Sequence, residues 1–245
     1  MLMFALDKSV TFIYFFHFLK IISSLVDCNT SLVMKMWLIF VVIFLQATVY
    51  GSYDCPGNCT CKKEEVKCID ASLQNLSNME FLRKIHVLNF SRNNITQIGE
   101  FDLRDMRVHY LKKLILSYNQ IEVVHERAFF GQSKLSQVDL SWNKIKTLDP
   151  MIFSLLGTLK FVSLAHNEFS LTSSDTFLQS EYIEYLYLDG CGIKHIPLSL
   201  FAGLPNLKEL VLSDNTLESL PIPPNWPKIL KHWELISVDR LQREL

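Results

Sequence analysis

Apolar positions in the central part of this chain follow neither the helical period nor a plain strand alternation. They follow the string L-x-x-L-x-L-x-x-N-x-I, which starts at Ile85, Leu111, Leu135, Leu159, Ile183 and Leu207, with a first spacing of 26 residues and four of 24. A fixed period of this size predicts a solenoid, in which each unit is one structural step that cannot bury its own apolar face. Positions 4 and 6 hold Leu88 and Phe90, Leu114 and Leu116, Val138 and Leu140, Val162 and Leu164, Leu186 and Leu188, and Leu210 and Leu212. Alternation of this kind puts both side chains on one face of a short strand. Because successive units run in the same direction, the strands are predicted to stack as a parallel sheet lining one side of the solenoid.

The remaining columns fill out the unit. Position 9 carries Asn93, Asn119, Asn143, Asn167 and Asn215, where the chain turns away from the strand and its peptide groups lose their ladder partners. A side-chain amide both donates and accepts, so Asn stacked above Asn satisfies those groups along the array. Position 11 (Ile95, Ile121, Ile145, Phe169, Ile193, Leu217) and position 14 (Ile98, Val124, Leu148, Ile196, Leu220, with Thr172 as the exception) are expected to fill the interior. Phe129, Phe153, Phe177 and Phe201 recur every 24 residues and read as an aromatic spine beneath the convex face. One repeat departs from the pattern: Cys191 replaces Asn between Gly190 and Gly192, and is expected to pack as a small buried thiol.

These columns, over roughly residues 81–220, resemble the extracellular leucine-rich repeat family in its 24-residue form. The resemblance implies an α/β fold: a horseshoe-shaped solenoid with a parallel sheet on its concave face and short irregular or 3-10 segments on its convex face. Cys is an alternative that the family accepts at the Asn column.

Cys55, Cys59, Cys61 and Cys68 lie just ahead of the repeats, in CPGNCTCKKEEVKC. A zinc site would pair thiols at C-x2-C spacing, whereas these spacings are C-x3-C and C-x-C, which favours a disulfide-bonded cap over residues 52–80. An uncapped stack would expose the first repeat's apolar edge. The family resemblance implies pairing of Cys55 with Cys61 and of Cys59 with Cys68. Such bonds need an oxidising compartment. An export signal is expected over 34–51, where Lys35 precedes an apolar run from Trp37 to Leu45 and small residues follow at Val49 and Gly51. Residues 1–33 contain a second apolar stretch, Val10 to Val26, and are either an upstream extension of the reading frame or a signal anchor. Asn58, Asn75, Asn89 and Asn94 each stand two residues ahead of Ser or Thr, as N-glycosylation requires.

Positions 2, 3, 5, 7 and 8 are expected to face the concave surface free of packing demands, so their composition informs on partners. Position 8 gives Tyr118, Trp142 and His166; position 3 gives Phe161 and Tyr185; position 5 gives Tyr187. With strands about 4.8 Å apart, these six side chains are expected to form one continuous aromatic patch suited to protein recognition. Lys112, Lys113, Asp139, Lys160, Glu184, Asp189, Lys208, Glu209 and Asp214 surround it with both signs of charge, which does not indicate a nucleic-acid surface. A glycan at Asn89 would cover one end of the sheet and centre binding on the second to fifth repeats.

The net charge of -1 implies no general polyanion or polycation partner. The 7 histidines do not sit with thiols or carboxylates at metal-ligand spacing, and no phosphate loop or nucleophile elbow occurs. No enzyme activity, cofactor or metal is therefore expected. Two functions are open: an extracellular protein-binding module of a secreted or cell-surface recognition or adhesion protein, or an intracellular scaffold or regulatory protein. The four-cysteine cap favours the first. Residues 221–245 read as a degenerate seventh repeat, with Leu230, Trp233 and Leu235 at positions 1, 4 and 6 and Val238 in place of Asn. An exposed edge there suggests an end-to-end homodimer.

Overall fold

A computed structural model describes residues 55–218 apart from 78, 82–83, 170 and 172–176. All of them fall in the compact unit that begins at Asp54. The expectations for the signal segment, the upstream stretch, Thr172, Leu220 and the degenerate seventh repeat lie outside the described residues.

Each repeat contributes one three-residue strand at its positions 3 to 5: β3 (Val87–Asn89), β5 (Lys113–Ile115), β7 (Gln137–Asp139), β8 (Phe161–Ser163), β9 (Tyr185–Tyr187) and β10 (Glu209–Val211). They pair in parallel and in register, position 4 always opposite position 4, as in Leu88↔Leu114↔Val138↔Val162↔Leu186↔Leu210. A slip of one residue would turn these apolar side chains to water, which is why the register is uniform. Positions 4 and 6 of every repeat are between 0% and 2% exposed. The phenylalanine spine is buried, with Phe129 and Phe153 in ring contact at 5.2 Å, and Phe169 edge-on to Phe177 at 5.2 Å. The protein is a parallel-sheet solenoid of about 6 turns.

The cap extends this sheet. A hairpin, β1 (Thr60–Lys62) and β2 (Glu65–Lys67), is antiparallel within itself, and β2 pairs in parallel with β3. Val66 stands opposite Leu88, and both Val66 and Cys68 are fully buried, so β2 reproduces positions 4 and 6 of a repeat ahead of the first recognisable one. The sequence showed this only as Val66-x-Cys68, too short to register as a copy. Disulfides join Cys55 to Cys61 and Cys59 to Cys68, the pairing the family resemblance implied. The hairpin thereby covers a sheet edge that would otherwise present unpaired peptide groups.

The return segments are short. The two extra residues of the first repeat accompany a helical turn, α1 (Asp102–Asp105), whose Leu103 is buried; a second turn, α2 (Ser199–Gly203), buries Leu200 and Phe201. A two-stranded parallel sheet, β4 (Gln97–Ile98) with β6 (Val123–Val124), links the first two returns. Among the described residues no helix is long and apolar enough to cross a membrane.

Candidate functional site

The site is shaped by how each strand ends. Position 8 is in the left-handed backbone region in every repeat: Arg92, Tyr118, Trp142, His166 and Asp214 have φ between 53° and 59°, and Gly190 has φ 63°. Asp70 of the cap, φ 53°, adopts the same conformation at the equivalent place. A non-glycine residue there costs roughly 1 kcal/mol or more, and the conformation turns the chain so that position 9 dips beneath the sheet. The N–H groups of Arg92, Tyr118, Trp142, His166 and Gly190 donate to the position-7 carbonyl of the next repeat, as from Tyr118 to Ser141 at 3.1 Å and from Trp142 to Ala165 at 2.8 Å. Position 8 therefore lies just beyond the strands, along their C-terminal rim.

Along that rim the side chains form a ladder. Arg92 Nε meets Asp70 at 3.0 Å. Tyr118 and Trp142 stack at 5.0 Å with an interplanar angle of 9°, and Trp142 stacks on His166 at 3.8 Å and 23°. The stack ends over Gly190, where an added Cβ would collide with the His166 imidazole. Glycine adopts the positive φ there at no steric cost and leaves room for the ring lying against it. Tyr118 and Trp142 remain 51% and 45% exposed despite the stacking, so the ladder presents apolar surface to solvent.

Phe161, Tyr185 and Tyr187 project from β8 and β9 and are half-buried. Phe161 meets Tyr187 edge-on, 5.0 Å and 73°, and is the register partner of Tyr185. Ring contacts thus fall in two groups among the six aromatic side chains, one on the rim and one on the sheet. Asp189 lies between them. Its carboxylate is 3.5 Å from His166 Nε2, and its charge acts on Tyr187. Burial pushes the Tyr187 hydroxyl up from its ordinary pKa, helped by its hydrogen bond to Glu209 and by the Glu209 and Asp189 charges.

A charged belt runs along position 2, at the N-terminal ends of the strands. Glu184 bridges Lys160 at 2.8 Å and Lys208 at 2.6 Å. The Lys160 hydrogen bond and then that of Lys208 hold its carboxyl below the usual range, and Glu184 in turn raises Lys208. Position 7 is less free than expected. Ser91, Ser117 and Ala165 are buried, so this column accepts only short side chains in those repeats.

The asparagine column behaves as read. Asn143 accepts the Ile121 N–H through Oδ1 and donates through Nδ2 to the carbonyls of Leu116 and Leu140. Asn119, Asn167 and Asn215 repeat the arrangement, and Asn93 extends it into the cap by accepting from Ala71 and Leu73. Cys191 is buried and free; its thiol donates to the Leu164 carbonyl, and burial pushes its pKa up to about 11. A neutral, inaccessible thiol has no nucleophilic role.

Of the sequon asparagines, Asn58, Asn75 and Asn94 are exposed. Asn89, on the concave strand β3, is half-buried and its Oδ1 accepts from both the N–H and the hydroxyl of Ser91, the serine of its own sequon. Among the described residues no three His, Cys, Asp or Glu side chains are placed to hold a metal. One feature went unread in the sequence: away from the sheet, a cleft of about 660 Å³ is bordered by Phe101, Phe130, Met151 and Leu155, which belong to no periodic column.

In-register three-residue strands, an asparagine ladder beneath them and a disulfide-clamped hairpin at one end are the features of an extracellular leucine-rich repeat module. The family model described as Leucine rich repeat matches residues 109–169 and 181–225, and the relatives found support the resemblance of the chain to extracellular leucine-rich repeat proteins. It is similar to podocan-like protein 1 of Mus musculus, 28% identical over 161 residues that cover 64% of this chain and 27% of that protein. It is also similar to lumican of Gallus gallus, 32% identical over 152 residues, covering 61% of this chain and 40% of that one. Among solved structures, TLR13 in its complex with ssRNA13 superposes with a TM-score of 0.58 at 27% identity, over 70% of this chain and 25% of that one. The chain spans less than half the length of each of these proteins. It is a leucine-rich repeat module, and with its disulfide cap it is extracellular, secreted or on the outer face of the plasma membrane.

Proposed function

We propose that this protein is a recognition or adhesion module that binds a protein ligand across the concave sheet and its C-terminal rim, and that it takes no part in catalysis. The observation that carries the proposal is the pair of aromatic groups, Tyr118–Trp142–His166 on the rim and Phe161–Tyr185–Tyr187 on the sheet, linked through Asp189. Tyr and Trp present large contact area with little rotamer entropy to lose, and stacked neighbours have already lost it. Mixed charge around the patch favours a protein over a nucleic acid. N-linked glycans at Asn58, Asn75 and Asn94, and at Asn89 if its side chain leaves Ser91, would bias binding away from the cap.

The test is a screen of the full chain against a panel of displayed extracellular domains. Trp142→Ala and Tyr185→Ala are each expected to weaken a captured partner at least tenfold, with the protein still folded by circular dichroism. A partner indifferent to both would overturn the proposal. The intracellular scaffold is the other reading, and a mass shift on glycosidase treatment separates the two, its absence favouring the scaffold.

A further inference from the structure

The concave face is electrically divided along the axis of the stack. On β5 and just ahead of it, Lys112 and Lys113 have no ion pair among the described residues, and the neighbouring Asp139 turns Oδ1 onto the N–H and hydroxyl of Ser141. Three and four strands away the balance reverses. Among the described residues Asp189 pairs with His166 and Glu209 has no ion pair, and Asp214 stands exposed at the rim beyond Gly190. The lysines of that half, Lys160 and Lys208, are both engaged by Glu184 at the opposite ends of the strands. Between the two poles lie Phe161, Tyr185 and Tyr187.

We infer that the concave face takes an extended segment of a partner protein in one direction only, with an acidic residue over Lys112 and Lys113 and a basic residue over Asp189, Glu209 and Asp214. The inference rests on the protein-binding reading above and adds the ligand's charge order. Its spacing follows from geometry. Parallel strands lie about 4.8 Å apart, so three to four steps from β5 to β9 or β10 span roughly 14 to 19 Å. An extended chain rises about 3.3 Å per residue, which places the ligand's two charges about four to six residues apart. Apolar or aromatic residues between them would rest on Phe161 and Tyr185. The basic end gains twice, from the carboxylates and from the faces of Tyr185 and Tyr187, since cations are drawn to aromatic faces. Opposite charges across an interface fix register and orientation more than they raise affinity, so reversing the order should be penalised more than removing either charge.

Panning random twelve-residue peptides displayed on phage against the full chain tests this. Enriched peptides are expected to carry Asp or Glu and Arg or Lys four to six residues apart, in one order. Binding of a synthetic copy should fall at least tenfold when the order is reversed, and also in Lys112→Glu/Lys113→Glu. Exchanging the peptide's acid for lysine should recover most of that loss in the double variant, a rescue that misfolding could not produce. Enriched peptides that are sensitive to Trp142→Ala but lack the charge pair would overturn this inference and leave the protein-binding reading standing. Enrichment insensitive to every concave and rim substitution, or none at all, would overturn both.

Discussion

At the scale of the residue, the chain concentrates its unusual features in two columns. Position 8 places large side chains in left-handed backbone, at Tyr118, Trp142 and His166. Stacking contributes about 0.5 to 1.5 kcal/mol for each aromatic pair, which offsets a conformational cost of similar size. The second feature is Gln132, three residues ahead of Leu135. Val108, Leu156 and Leu204 occupy the same place in other repeats and are buried, and Gln132 is buried too, with neither Nε2 nor Oε1 hydrogen-bonded. A buried polar group without a partner costs about 1 to 3 kcal/mol. Gln132→Leu is therefore expected to stabilise the protein by about 1 to 2 kcal/mol, raising Tm by roughly 2 to 6 °C in calorimetry. An unchanged or lower Tm would mean that the amide is satisfied in solution, by an ordered water for example. Gln132 was invisible in the sequence because the column ahead of each repeat is less regular than those within it, and Ser180 also occupies it.

At the scale of the element, the strand and the asparagine turn form one unit. Three residues of strand give too few ladder bonds to hold a turn, and Asn at position 9 supplies the missing partners from beneath. Asn143 satisfies the Ile121 N–H and the Leu116 and Leu140 carbonyls, all buried. Removing it strands several peptide groups at about 1 to 3 kcal/mol each. Asn143→Ala is expected to cost at least about 3 kcal/mol in urea unfolding, against less than about 0.5 kcal/mol for Asn94→Ala on the exposed position 10. Equal effects would show that the column is filled for volume alone. This unit was legible in the sequence because position 9 does the same job in every repeat, so one residue type recurs. An L-x-L alternation fixes where a strand is but not where it ends, and the left-handed turn shows that position 8 follows the strand.

At the scale of the molecule, stability passes from neighbour to neighbour, and the cap is the first link. Both disulfides lie within residues 55–68 and clamp the hairpin whose β2 pairs with β3. In the chain-entropy account, closing a loop the size of that between Cys59 and Cys68 contributes about 2 to 4 kcal/mol. The double variant Cys59→Ser/Cys68→Ser is expected to lose about that much in equilibrium unfolding. Amide exchange should accelerate first in β3 and then in β5, while β9 changes least, because a stacked array frays from its exposed end. Uniform acceleration across all strands would show that the cap and repeats unfold as one block.

The sequence by itself determined the period, the parallel strands, the buried columns, the asparagine ladder and, through the family its columns resemble, the disulfide pairing. Each follows from a local demand repeated at fixed spacing, either an apolar side chain that must leave water or a peptide group that must find a partner. What only the tertiary structure decided lies between repeats. It joined Tyr118, Trp142 and His166 into a stack ending on Gly190, separated that stack from Phe161, Tyr185 and Tyr187, and set Asp189 between the two. It also engaged Lys160 and Lys208 with Glu184 while leaving Lys112 and Lys113 without ion pairs among the described residues. These arrangements depend on side chains 24 residues apart meeting across the stack. The hydrophobic pattern constrains only the buried side of each strand, so it brings such residues together without saying how they pair.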